Sequence, residues 1–160
     1  MKTTLVIVAA LALVGCGKKK DGGGGGGGGG APVKTTVHTV DNPGFSLDLP
    51  EGMTPKPPRD DRAAFEGKGA FDSLTITWSK LPEGVTATAA IDEGKQSYSQ
   101  GEPDLKKTQV EGTLPGGGPW VAVAKGKFRG SKSWLTLGDV LVVCQGGGLA
   151  AEACKTLRAK

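Results

Sequence analysis

One histidine and three cysteines in 160 residues remove several chemistries at once. Zinc sites need Cys and His ligands at short spacings; the chain has no CxxC, and no histidine stands near Cys144 or Cys154. The lone His38 lies among threonines in a strand-like stretch without a partner motif, so it reads as surface decoration and not as a catalyst. No serine sits in a GxSxG elbow or an SxxK pair, which leaves nucleophilic hydrolysis without a signature. The glycines form neither GxxxxGK[ST] nor a GxGxxG in strand-to-helix context. Asp60-Asp61 and Asp92-Glu93 are adjacent carboxylates, and neighbours on a regular element point apart, so neither makes an acid/base couple or a calcium loop. No catalytic residue, metal ligand or cofactor is assigned.

Long apolar runs are also missing, with one short exception. Leu5 to Val14 follows the positive Lys2 and ends in small residues, the pattern of a secretory signal peptide. A helix of about a dozen residues reaches about 18 Å, short of the ~30 Å hydrocarbon core. The run closes in Leu13-Val14-Gly15-Cys16, which resembles the lipobox of bacterial lipoproteins. That resemblance implies cleavage before Cys16, a diacylglycerol on its thiol, usually a further acyl group on the new amino terminus, and a membrane as partner. Two or more chains give stable anchoring, at about 0.8 kcal/mol per buried methylene. In diderm members an aspartate after the cysteine favours the inner membrane; Gly17 stands there instead, which points to the outer membrane.

The net charge of +4 belongs to the same device. From Ala31 onward there are sixteen Lys and Arg against fifteen Asp and Glu, so the expected folded unit carries no basic surplus for nucleic acid. Lys18-Lys19-Lys20 sit where anionic head groups would meet them. The nine glycines from Gly22 to Gly30 cannot fold, having no side chains to bury and the largest backbone entropy to lose. With the about fifteen residues between Cys16 and Ala31, the expected flexible leash spans roughly 20 Å. The predicted division is a signal peptide over 1–15, a lipidated cysteine and tether over 16–30, and one domain over 31–160.

Within that domain the pattern switches to period two. Val33, Thr35, Val37 and Thr39 share one face of a strand, Asp41-Asn42-Pro43-Gly44 turns, and Phe45, Leu47 and Leu49 alternate in the next. Prolines 50, 55, 57 and 58 force an irregular loop. Further strands are predicted over 62–66, 73–79, 106–113, 120–128, 133–137 and 140–144, the last two joined by a Gly138-Asp139 turn. Trp78, Trp120 and Trp134 lie in alternating strands, where core is the default role. A helix is predicted over 87–99 despite Gly94, with Ala87, Ala90, Ile91 and Tyr98 at helical spacing. A terminal helix from Leu149 to about Arg158 buries Leu149, Ala153 and Leu157. Gly146-Gly147-Gly148 before it reads as a plain connection or, alternatively, as amides for an anion.

With Cys16 taken by lipid, Cys144 and Cys154 are left as a pair, and the oxidising envelope favours a disulfide between strand and helix. The fold class is a small α+β domain, a mostly antiparallel sheet with a middle helix and a C-terminal helix. Its opening Gly44-Phe-Ser-Leu-Asp-Leu-Pro-Glu-Gly-Met53 and closing Cys144…Cys154-Lys-Thr-Leu-Arg158 are similar to the PsbP-like proteins. That resemblance implies a sheet with helices packed on it, in a family mostly without known enzymatic activity. The expected function is a lipid-anchored envelope binding module with an unidentified envelope protein as partner. The alternatives are an envelope enzyme assembled from scattered residues, His38 and the acidic loop among them, or a module capturing a small ligand or anion.

Overall fold

The structure, a computed structural model, describes residues 33–98 and 103–160. The leader, Cys16 and the tether, and residues 99–102, lie outside the described residues. Period-two alternation becomes strand where it was expected. β1 (Thr35–Val40) and β2 (Phe45–Pro50) form a hairpin around a turn whose Asn42–Pro43 bond is cis. β3 (Thr54–Pro55), β4 (Arg62–Glu66) and β5 (Ser73–Lys80) follow. After the helices α1 (Ala87–Tyr98) and α2 (Pro103–Lys107) come β6 (Val110–Thr113), β7 (Pro119–Lys125), β8 (Phe128–Leu137) and β9 (Val140–Gly147). Two 3-10 turns, Gly148–Ala151 and Ala153–Thr156, lead to β10 (Arg158–Ala159).

The strands make two antiparallel sheets, a small one in the order β1-β2-β10 and a large one in the order β3-β4-β5-β9-β8-β7-β6. One face of the large sheet meets the small sheet and the 3-10 turns. There Phe45, Leu47, Leu74, Ile76, Val142 and Leu157 are buried to 1% exposure or less, and their apolar contact is the main stabilising term. The helices occupy the other face. No side chain of α1 is fully buried; the body of the helix is held where Gly94 lies flat on the Trp134 indole. A Cβ at Gly94 would stand 2.7 Å from Trp134 Nε1, so a glycine that weakens the helix by about 1 kcal/mol is what lets the two surfaces meet.

Three expectations are corrected, and the inward face of β1, which the alternation left open, can be assigned. The inward face of β1 is the one with His38 and Val40, and Val33 and Val37 are left 53% and 50% exposed. β1 is an edge strand, so its burial follows where β4 lies and not its own apolar count. Residues 120–128 are not one strand: a hairpin turn at Gly126-Lys127 splits them, and the 133–137 stretch is the second half of the ten-residue β8. The 106–113 strand begins only at Val110, because Pro103 at a helix start and Asp104 in the first turn favour α2.

The terminal helix is not an α-helix. The Ser131 hydroxyl donates to the Ala151 carbonyl and Ser133 Oγ to the Cys154 carbonyl at 2.7 Å. The Lys155 N–H turns to the Glu152 carbonyl three residues back, at 3.1 Å, in place of the Ala151 carbonyl that an α-helix would use. Ala153 and Leu157 are buried as expected, but Leu149 is 52% exposed. The Cys144–Cys154 disulfide forms, with Cα atoms 5.4 Å apart, and ties these turns to β9. The last residues are sewn to β2: Arg158 Nη2 donates to Asp48 Oδ1 at 2.8 Å, and the Asp48 N–H donates to Thr156 Oγ1 at 2.8 Å.

Candidate functional site

The register of the large sheet places Ser73, Gly147, Gly130 and Val123 in one row across β5, β9, β8 and β7. They face the helix side. Two of the four are glycines, and glycine inside a strand permits close approach of something above it. Over Gly147 comes the Phe71 carbonyl, 2.6 Å from where a Cβ would sit. Over Gly130 come the Tyr98 hydroxyl and the Phe128 ring, each at 3.0 Å from such a Cβ. Between these walls runs an open groove of about 460 Å³. Thr75 and Gln145, partners in the neighbouring row, line it, as do Leu105 of α2 and Ala70.

The walls are fixed by one carboxylate. Asp72 Oδ2 accepts the Gly69 N–H at 2.9 Å and Asp72 Oδ1 accepts the Leu149 N–H at 2.9 Å. The loop carrying Ala70 and Phe71 is thereby latched to the end of β9. The amide that follows the Gly146-Gly147-Gly148 run thus meets the protein's own anion. Phe71 is 55% exposed and meets Phe128 edge to face, ring centroids 5.8 Å apart. Leu149, exposed beside the latch, extends this apolar rim.

The groove is electrically quiet. Among its lining residues only Tyr98 titrates, and burial pushes its hydroxyl up to about 12, so it stays protonated at neutral pH. The half-buried Lys132 stands opposite Gln145 in the register, but its Nζ lies 5.5 Å from the Trp134 ring centroid and it is not in the lining. Desolvation there lowers its pKa. Ser73, Thr75, Tyr98 and Gln145 make no side-chain hydrogen bond to other described residues, in contrast to Ser131 and Ser133 on the opposite face of the same sheet.

His38 is elsewhere, between the two sheets. Its ring meets Phe65 edge-on at 4.9 Å, its Nε2 is buried without a partner, and burial holds its pKa below 6.5. Asp60 and Asp61 are exposed at the start of the β4 hairpin, and neither they nor His38 line the groove. Surface decoration is therefore the wrong description of His38. An imidazolium there would bury an unpaired N–H, so protonation favours the unfolded chain. Stability is full above pH 6.5 and declines as the pH falls through the lower folded-state value. The urea midpoint of the wild type should drop between pH 7.5 and 5 by more than that of His38→Phe; equal drops would refute this account.

No signature flagged the groove residues in the sequence. The available signal was glycine within alternating strands, at Gly130 and Gly147. Of the tryptophans, Trp134 is 1% exposed, while Trp78 and Trp120 are half-buried against the core. Among the described residues no cluster of His, Cys, Asp and Glu could hold a metal ion, and no helix is long and apolar enough to cross a membrane.

No protein-family model and no curated protein matches the chain. Among solved structures it is similar to the solution structure of cyanobacterial PsbP (CyanoP) from Synechocystis sp. PCC 6803. The TM-score is 0.52 and the identity 14%, over 86% of this chain and 98% of that one. The fold is PsbP-like. At that identity the likeness speaks for architecture alone. The PsbP-like expectation made from the two ends of the domain is met at that coarse level: a small domain of sheets with few helices.

Proposed function

We propose that this chain is a lipid-anchored protein of the bacterial cell envelope, held through Cys16 and favouring the outer membrane, whose α+β domain is a non-enzymatic binding module. The anchor rests on the sequence Leu13-Val14-Gly15-Cys16 after a short apolar run, and on the even cysteine pair left once Cys16 is set aside. The binding role rests on one observation above all. Among the described residues the groove collects four hydrogen-bonding side chains without partners beside the exposed ring of Phe71, the marks of a surface that meets another molecule. An envelope enzyme built on His38 has less in its favour, since His38 packs on an apolar ring between the sheets.

Two measurements test the two halves. Cys16→Ser should move the protein from the membrane fraction to the soluble fraction or block its processing; undiminished membrane retention sinks the anchor. A photo-crosslinking residue at Ala70 in intact cells should capture an envelope component, and one at Val37, on the edge strand of the small sheet, should not. Capture from both positions alike, or from neither, sinks the groove as the binding surface.

A further inference from the structure

We infer that the groove beside Phe71 binds a neutral sugar ring, as a unit of an envelope glycan. The inference rests on the reading of the groove as a binding surface and adds the chemistry of what it takes. The Ser73, Thr75 and Tyr98 hydroxyls and the Gln145 amide each present both donor and acceptor capacity, and none is used within the described residues. An alkyl chain laid along the groove would take these four groups out of water and return no hydrogen bond. An anion or a cation would lose hydration in a site whose lining offers no opposite charge. A hydroxylated ring matches all four, because each of its hydroxyls also donates and accepts.

The apolar part of the lining fits the same class. A pyranose has C–H faces that pack on aromatic and aliphatic surface, and here Phe71, Phe128, Leu105 and Val123 supply that surface along the trough. The 55% exposure of Phe71 in a ring pair gives a platform reachable from solvent. Gly130 and Gly147 let the Tyr98, Phe128 and Phe71 walls come down onto the sheet, and the trough that a ring would occupy runs between those walls, beside Thr75 and Gln145. The volume of about 460 Å³ falls within the range of small-ligand sites and accommodates one or two rings. The Asp72 latch holds the Phe71 loop in place without itself facing the ligand.

The test is a titration of the full chain followed through backbone amide NMR shifts. The probes are chitotetraose and maltotetraose, two neutral oligosaccharides of different linkage and substitution, with tetragalacturonate as the charged control. Binding of either neutral probe, with shifts centred on Gly130, Gln145 and Gly147, supports the inference, and the stronger of the two shows which linkage and substitution the groove prefers. Phe71→Ala and Gln145→Ala, both at exposed positions, should each weaken that binding about tenfold or more, while Val37→Ala leaves it unchanged. Silence with both neutral sugars, equal binding of tetragalacturonate, or full affinity in Phe71→Ala would overturn it. Such a failure, with crosslinking from Ala70 intact, would leave the binding module standing and only the sugar refuted.

Discussion

Trp134→Ala should destabilise the domain by about 3–5 kcal/mol and release α1 from the sheet. Trp134 is the largest side chain with under 2% exposure, and its indole is the surface on which Gly94 rests. Two further ties hold α1 to the sheet: Tyr98, whose hydroxyl lies over Gly130 of β8, and the Lys95–Glu111 ion pair at 2.5 Å, with side chains 28% and 47% exposed. Ion pairs that reach solvent contribute at most about 1 kcal/mol. The indole contact is therefore the larger tie along the body of the helix, with Tyr98 holding its end. In a domain whose total stability is about 5–15 kcal/mol, the loss is large enough to read in a urea titration. Hydrogen exchange should also show α1 amides losing protection ahead of those in β8 and β9. A loss under about 1 kcal/mol with α1 still protected would show that the helix is held by something else. Because Tyr98 closes α1 and walls the groove, the same variant should blur the groove's amide signals.

Removing the disulfide is the second large effect. The bond joins Cys144 and Cys154 across ten residues, and closing such a loop in the unfolded chain is worth about 2–3 kcal/mol in the chain-entropy model. Both cysteines are fully buried, so the double variant Cys144→Ala/Cys154→Ala also loses sulfur contacts in the core. A melting temperature about 10 °C lower follows for a domain of this size. The segment freed is the pair of 3-10 turns, whose Ala151 and Cys154 carbonyls accept hydrogen bonds from the Ser131 and Ser133 hydroxyls. Reductant added to the folded wild type should act slowly, since a bond with no exposure is reached only when the turns open. An unchanged melting temperature in the double variant would mean that the serine hydrogen bonds hold the turns unaided.

What could be read from the chain beforehand follows a physical divide. β5 was legible because burial on one face of a strand writes period two into Leu74, Ile76 and Trp78. The β8–β9 hairpin was legible because Gly138-Asp139 leaves few other conformations. α1 showed through its spacing even with Gly94 inside it, although why a glycine sits there becomes plain only when Trp134 is seen beneath it. The terminal turns were misread because their stripe at Ala153 and Leu157 is helical in spacing. Hydroxyls twenty residues away claim the carbonyls, and no local pattern announces that. The inward face of β1 depends on Phe65, a residue in the other sheet. The groove was hidden for the same reason: Ser73 and Gly147 are register partners, and only the sheet makes neighbours of residues so far apart in sequence.

The placement of β9 between β5 and β8 also sets the order in which the molecule can assemble. The meander from β6 to β9 consists of adjacent hairpins and closes its contacts locally, whereas β5 has its second edge unpaired until residues 140–147 arrive. Its nucleus is therefore expected in the C-terminal half, with the β3–β5 hairpins docking afterwards and β10 sealing β2 last. Such long-range closure belongs with the slow-folding topologies, on a timescale of roughly milliseconds to seconds. A chain emerging from its amino terminus presents β5 to solvent throughout synthesis, which makes Ser73–Lys80 the segment most in need of protection before folding is complete.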